Sequence, residues 1–235
     1  MGKETGRHFF ADEVFTDESV RAAIYEFKNK KTGDGKRGPF YNGTVNWEFD
    51  VSNSILFQAA VWQGYLDASR TFTDINTDEN RKAFNNLARK IQSYFQNDDS
   101  GFEHDSWCKS FIKDIKKYNN YPDVRYGQAQ KVVNMAFKYL YCCEGAKYYK
   151  ERFEPCHMPL DQYTLAWYFY EKGVLYQEWS WFDDARYKEV EDDIRKILNS
   201  DILGKELVIW QRFTDKDKPV VINLKTIGKK GGYIL

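Results

Sequence analysis

Apolar residues recur every three or four positions through most of this chain, and that spacing limits its fold more than any other feature. Residues spaced in this way share one face of an amphipathic helix. Only five prolines interrupt the pattern. We therefore predict a mostly α fold, with helices over residues 17–30, 52–69, 77–96, 162–172 and 183–199. A further helix around Trp107 ends before Pro122, residues 201–213 form a helix or a strand, and a brief strand is predicted at residues 44–48.

The composition is that of a folded domain rather than of a disordered tail or a membrane protein. The 235 residues include 35 basic and 35 acidic ones, and 42% are hydrophobic. No segment offers the ~20 uninterrupted apolar residues of a spanning helix. Residues 1–20 lack the apolar stretch of a secretory signal. We expect a cytoplasmic monomer with no membrane partner, folded as one compact unit over residues 1–235.

The four cysteines are predicted to be free thiols. A zinc site would have to use Cys142 and Cys143 with Cys156 and His157, but adjacent ligands strain the tetrahedral geometry of zinc, and the usual spacing between ligands is missing. A reducing compartment would also keep such thiols open. We expect no metal and no cofactor.

Charge is unevenly distributed along the chain. Residues 105–152 contain ten basic and five acidic side chains, although the whole chain has a formal charge of zero. A basic region of this kind suits the phosphate backbone of a nucleic acid. The alternative interpretation is a solvated, lysine-rich helix face.

The segment with the clearest chemical content runs from Tyr121 to Gly173. On a helical wheel, its first half places Lys131 on the side opposite an apolar face. Lys131 is then either a solvated lysine or a residue that lines a cleft, where it could act as a nucleophile or hold a phosphate. In the second half, Asp161 follows an extended stretch and caps a helix over 162–172 that ends at Gly173. The helix dipole keeps such a carboxylate ionised.

These residues resemble the helix-hairpin-helix superfamily of DNA glycosylases. In that superfamily a helix that bears a catalytic lysine in some members precedes a Pro-Val-Asp-like element, which Lys131 and Met158-Pro159-Leu160-Asp161 match here. The sequence K-V-V-N-M-A-F-K, which begins at Lys131, is similar to the lysine-bearing helix of archaeal 8-oxoguanine DNA glycosylases, including a second lysine at Lys138. Residues 55–58 look like their glutamine-bearing helix. The usual hairpin sequence, L-P-G-V-G, is replaced by Y-P-D-V-R-Y-G at residues 121–127.

The resemblance implies a two-lobed helical fold with a divergent hairpin. The approximate lobes are residues 52–160 and residues 1–51 plus 161–235, with the cleft between them. It also implies a set of site residues. The catalytic residues are Asp161 and Lys131, the DNA-binding residues are Lys138, Arg125, Gly127 and Gln128, and the base-pocket residues are Trp167, His157 and Gln58.

The implied function is excision of a modified base from double-stranded DNA. The base is flipped out of the helix and its N-glycosidic bond is cleaved, leaving an abasic site. Some relatives are anti-phage enzymes that remove α-glucosyl-hydroxymethylcytosine, which makes a bulky phage modification a candidate substrate. The alternatives are an 8-oxoguanine-type glycosylase and lyase, a thymine-modifying phage enzyme of similar fold, and a helical DNA-binding module without catalysis.

Overall fold

A computed structural model describes residues 15–29, 38–72, 77–119, 123–172 and 178–214 of the chain. Within these ranges the protein is all-α and contains no strand. The helices are α1 (Asp17–Asn29), α2 (Ser54–Ala68), α3 (Thr77–Gln96), α4 (His104–Asn119), α5 (Tyr126–Tyr141), α6 (Lys150–Phe153), α7 (Gln162–Lys172), α8 (Asp184–Leu198) and α9 (Ile202–Thr214). Short 3-10 turns occupy 69–71, 146–149 and 179–181.

The helices predicted from apolar spacing are confirmed, and the bounds of α3 and α7 match the predicted ones. Residues 202–214 form a helix rather than a strand. The strand predicted at residues 44–48 is wrong, because Glu48 makes only an isolated bridge to Glu144. A single bridge provides no ladder that would extend the pairing. The helix stop predicted at Gly173 lies outside the described residues, as does the start of the divergent hairpin.

Helix α5 is the centre of the fold, since every residue from Tyr126 to Leu140 is buried. Helices α2 and α4 and the 179–181 turn all pack against it. Gly64 permits the close crossing of α2 and α5, because a methyl group there would lie 2.6 Å from the carbonyl oxygen of Val132. The polar side of α5 is therefore covered by neighbouring elements and does not face bulk solvent.

The buried apolar side chains of the described ranges form one continuous cluster from α1 to α9. The single compact unit over residues 1–235 and its division into two lobes both stay predictions. All four cysteines are free and buried, and burial raises the pKa of the Cys143 thiol to about 12. No described helix has the length and apolar character needed to cross a bilayer.

Candidate active-site cleft

Lys131 and Asp161, predicted as a catalytic pair, are in direct contact. The Nζ atom of Lys131 lies 2.8 Å from Oδ2 of Asp161, and only 5% and 18% of the two side chains are exposed. The other carboxylate oxygen, Oδ1, accepts hydrogen bonds from the amides of Tyr163 and Thr164 at 2.8 and 3.1 Å. Asp161 therefore caps α7 with one oxygen and holds Lys131 with the other.

The surroundings of Asp161 favour its ionised form. Burial raises the pKa of this carboxyl, but the charge and hydrogen bond of Lys131, with the Thr164 amide, outweigh burial and leave the pKa below its ordinary value. Asp161 is thus an anion at neutral pH and can stabilise positive charge beside it.

Both residues line an open cleft of about 820 Å³, within the ~300–1,000 Å³ range of small-molecule sites. The walls come from α1, α2, α5, α7 and α9, the turn at 69–71 and the segment at 178–179. The aromatic side chains in these walls are Phe27, Tyr41, Tyr139, Tyr163, Trp179 and Trp210. The cleft thus combines a buried ion pair with flat apolar surfaces that suit a ring-shaped ligand.

The sequence interpretation missed a second carboxylate in the cleft, that of Asp67 at the end of α2. Its Oδ2 atom accepts a hydrogen bond of 2.9 Å from the Tyr139 hydroxyl, which lies 3.4 Å from the Tyr41 hydroxyl. A signal was present in the sequence, because Asp67 is the sole charged residue in the text of α2, SILFQAAVWQGYLDA. An isolated charge in an otherwise uncharged, mostly buried helix is a candidate functional residue.

Lys138, predicted to bind DNA, is instead part of the core. Its side chain is 2% exposed and its Nζ lies 2.6 Å from Oε2 of Glu206, which is 1% exposed. The ammonium also lies 4.6 Å from the ring centre of Phe27 and 5.3 Å from that of Trp210. Lys138 also lines the cleft described above, but its ammonium is already paired with Glu206, so it has no unpaired charge to offer a DNA backbone.

Gly127 and Gln128, also predicted to contact DNA, are structural. The amide of Gly127 donates to the carbonyl of Phe182 at 2.9 Å, so it is not available to a phosphate. Gln128 is buried, accepts a 2.9 Å hydrogen bond from the Arg125 amide and donates to the Thr71 carbonyl. These contacts fix the start of α5 against its neighbours.

Arg125 is the one member of the predicted DNA-binding set that reaches the surface. Its guanidinium carbon lies 3.2 Å above the ring centre of Trp181, which is 54% exposed. The rest of the basic region is divided. Lys109 pairs with two aspartates and Lys131 and Lys138 are buried, whereas the side chains of Lys113, Lys116, Lys117, Lys147 and Lys150 are exposed.

None of the three predicted base-pocket residues lines the cleft. Trp167 is buried in the core, and Gln58 is exposed on α2, where Gln63 lines the cleft instead. His157 lines a separate groove of about 480 Å³. Trp179 and Tyr163 are two of the three half-buried aromatic residues of the cleft, with Tyr41 the third, and they replace Trp167 as candidates for stacking on a base.

His157 belongs to a polar network centred on Asn134. The Nδ1 atom of His157 lies 2.9 Å from the Tyr187 hydroxyl, and Asn134 joins that hydroxyl to Nε2 of His104 at 2.8 Å on each side. Burial lowers the pKa of His104 to about 4, so its ring is neutral at pH 7. The network holds α4, α5 and α8 together and explains why Asn134 tolerates burial.

Comparison of the chain with protein-family models, with curated proteins and with solved structures gives no match. Within the described ranges, no cluster of three or more His, Cys, Asp or Glu side chains could hold a metal ion.

Proposed function

We propose that this protein is a DNA glycosylase with a helix-hairpin-helix-type, two-lobed fold and a divergent hairpin, which excises a modified base from double-stranded DNA. The observation that carries the proposal is the 2.8 Å contact between Lys131 and Asp161 in the wall of an 820 Å³ cleft. A helix-capping aspartate beside a buried lysine is the arrangement that the sequence resemblance implies. The substrate is a bulky modified base such as α-glucosyl-hydroxymethylcytosine, with 8-oxoguanine as the alternative.

The geometry suits cleavage of a glycosidic bond. When the base departs, the sugar acquires positive charge, and a preorganised carboxylate such as Asp161 stabilises it, as carboxylates do in sugar hydrolases. Either water then attacks the anomeric carbon and gives its proton to Asp161, or the Lys131 ammonium first gives a proton to Asp161 and attacks as the amine, after which the secondary ammonium formed at the sugar loses a proton to solvent. Attack by water leaves an intact strand with an abasic site, whereas attack by the amine gives a Schiff base and subsequent strand cleavage.

The cleft also offers groups that could receive an everted nucleotide. Trp179 and Tyr163 supply faces for stacking, worth about 1–3 kcal/mol per base. Arg70 is exposed on the cleft wall, where it can contact a phosphate. Arg125, stacked on Trp181, lies beside the same 179–181 turn and extends this cationic and aromatic surface.

The test is base release from duplexes that each carry one altered base, with abasic sites detected by alkali. The panel contains 8-oxoguanine, uracil, methylated purines and glucosylated hydroxymethylcytosine. We expect release from one duplex by the wild-type protein and a loss of at least about 100-fold in Asp161→Asn, which keeps the cap but removes the charge. Asp183→Asn is the matched control, because Asp183 caps α8 by accepting the Arg186 amide at 2.8 Å.

Three further outcomes separate the alternatives. Trapping of a protein–DNA adduct by borohydride in the wild type but not in Lys131→Gln would establish the lyase reaction. Tight DNA binding without release of any base would contradict the proposal and favour a non-catalytic DNA-binding module. Conversion of a thymine without an abasic site would favour the thymine-modifying enzyme.

A further inference from the structure

Asp67 is a second carboxylate in the cleft, and the roles proposed for Lys131 and Asp161 leave it without a function. It comes one helical turn after Gly64, where α2 crosses α5, and this crossing brings its carboxylate to the cleft. The charges of Lys131, Lys138 and Asp161 all act on it. Asp67 and Asp161 are thus two carboxylates of one cleft, and both are influenced by the Lys131 ammonium.

The two oxygens of Asp67 have different surroundings. Oδ2 is fixed by the Tyr139 hydroxyl, whereas Oδ1 has no hydrogen-bond partner among the described residues. The residue opens into the cleft, whose walls surround the carboxyl closely enough to desolvate it in part. One oxygen therefore orients the carboxyl, and the other is available to a ligand.

The two carboxyls also differ in acidity. Burial raises the pKa of Asp67, and Lys131, the Tyr139 hydrogen bond and Lys138 offset this only in part, whereas the pKa of Asp161 is lowered. Two carboxyls whose surroundings separate their pKa values in this way commonly divide the roles of acid and base. The other ionisable groups that line the cleft are Tyr41, Arg70, Tyr163 and Glu178, and Glu206 lies behind Lys138.

We propose that Asp67 is the general acid of this site and protonates the departing base, an inference that rests on the proposed glycosylase function. When the bond between the sugar C1′ atom and the base nitrogen breaks, its electron pair stays on the base and the Asp67 proton neutralises it. Water forms the new bond to C1′ and gives a proton to Asp161. Transfer of that proton to solvent and uptake of one by Asp67 restore the site without any co-reactant.

The experiment measures base release against pH on the duplex that the panel identifies. Because the donor must be protonated, the wild-type rate should fall as pH rises through the pKa of Asp67. Asp67→Asn keeps a group of the same size, so we expect kcat to fall about 10²- to 10⁴-fold, KM to change little and this pH dependence to disappear. Asp193→Asn is the matched control, because Asp193 also accepts a tyrosine hydroxyl, that of Tyr168 at 2.7 Å, but lies outside the cleft.

Tyr139→Phe provides an independent readout. The Tyr139 hydrogen bond lowers the pKa of Asp67, so its loss should move the falling limb of the rate profile to higher pH. The Asp67 carboxyl can be followed directly by 13C NMR without substrate, because its resonance is the one absent from the spectrum of Asp67→Asn. The pH midpoint of this resonance should also be higher in Tyr139→Phe than in the wild type. A purely structural Asp67 would leave the rate profile unmoved.

The outcomes distinguish this inference from the function on which it rests. Base release by Asp67→Asn at the wild-type rate and with the wild-type pH profile would overturn the general-acid role and leave the glycosylase assignment intact. Absence of release by the wild-type protein from every duplex would overturn both.

Discussion

Replacement of Lys138 by methionine should strongly destabilise the protein without weakening its affinity for DNA. The substitution leaves the Glu206 carboxylate, 1% exposed, without the ammonium 2.6 Å away. Removing one partner of a buried ion pair typically costs about 3–5 kcal/mol. The contacts of the ammonium with the rings of Phe27 and Trp210 are lost as well, and each is worth up to ~2 kcal/mol when desolvated. We therefore expect a loss of at least about 3 kcal/mol.

Urea unfolding followed by tryptophan fluorescence measures this loss, and the midpoint and slope together give the free energy of unfolding. Lys109→Met is the matched control. Lys109 makes two ion pairs, at 2.9 and 3.2 Å, but its side chain is 55% exposed, so its replacement should change the free energy of unfolding far less than that of Lys138. The double variant Lys138→Met/Glu206→Leu should recover most of the lost stability, because no buried charge is then left unpaired.

The loss of stability in Lys138→Met should depend on pH in a direction set by the pKa of Glu206. Burial raises the pKa of Glu206 and Lys138 lowers it, so removal of Lys138 raises the pKa of Glu206 further. The cost of Lys138→Met should therefore be greatest at high pH and decrease as pH falls and Glu206 takes up a proton. A cost below 1 kcal/mol that adds simply to that of Glu206→Leu would refute the buried pair. A loss of DNA affinity in folded Lys138→Met would restore the role in DNA binding.

Gly64→Ala should cost about 1–3 kcal/mol in urea unfolding, because its methyl group would meet the backbone of α5 at 2.6 Å, whereas Gly101→Ala, which meets no atom within 4 Å, should change stability little. An equal effect of the two would contradict the close helix crossing. Burial raises the pKa of Glu191 from 4.5 to about 8, so ionisation of this carboxyl opposes folding. The variant Glu191→Gln, which cannot ionise, should therefore become more stable than the wild type as pH rises from about 4.5 to about 8. The difference approaches about 5 kcal/mol at high pH, and thermal melts of both proteins between pH 5 and pH 9 would show it, whereas parallel pH profiles would count against a buried carboxyl.

The sequence predicted the helices well because apolar spacing and capping are local properties. Helix α7 is an example, since Asp161 before residue 162 marks its start in the sequence and in the structure. The proximity of Lys131 and Asp161 was expected only because these residues resemble those of the glycosylase superfamily, since helical spacing alone does not bring the two positions together.

Local patterns did not reveal which elements cover the polar side of α5. Lys138 and Lys131 are seven residues apart, about two helical turns, so a helical wheel places both side chains on the same face of α5 and predicts the same surroundings for them. Both lysines line the cleft, but they have different partners, because Glu206 of α9 pairs with Lys138 while Asp161 pairs with Lys131. Asp67 was missed for the same reason, since its place in the cleft depends on how α2 crosses α5.

The complete burial of α5 determines where substitutions can accumulate. Every side chain from Tyr126 to Leu140 is enclosed and Cys142 and Cys143 are buried as well, so in a library of random variants tolerated changes should be rare over this stretch and frequent again at exposed positions from Glu144 onward, such as Lys147. The floor of the cleft is built on this helix and is thereby held constant. Selectivity for a new ligand would then change through substitutions in the cleft walls, at the end of α2, at residues 161–163 and at residues 178–179.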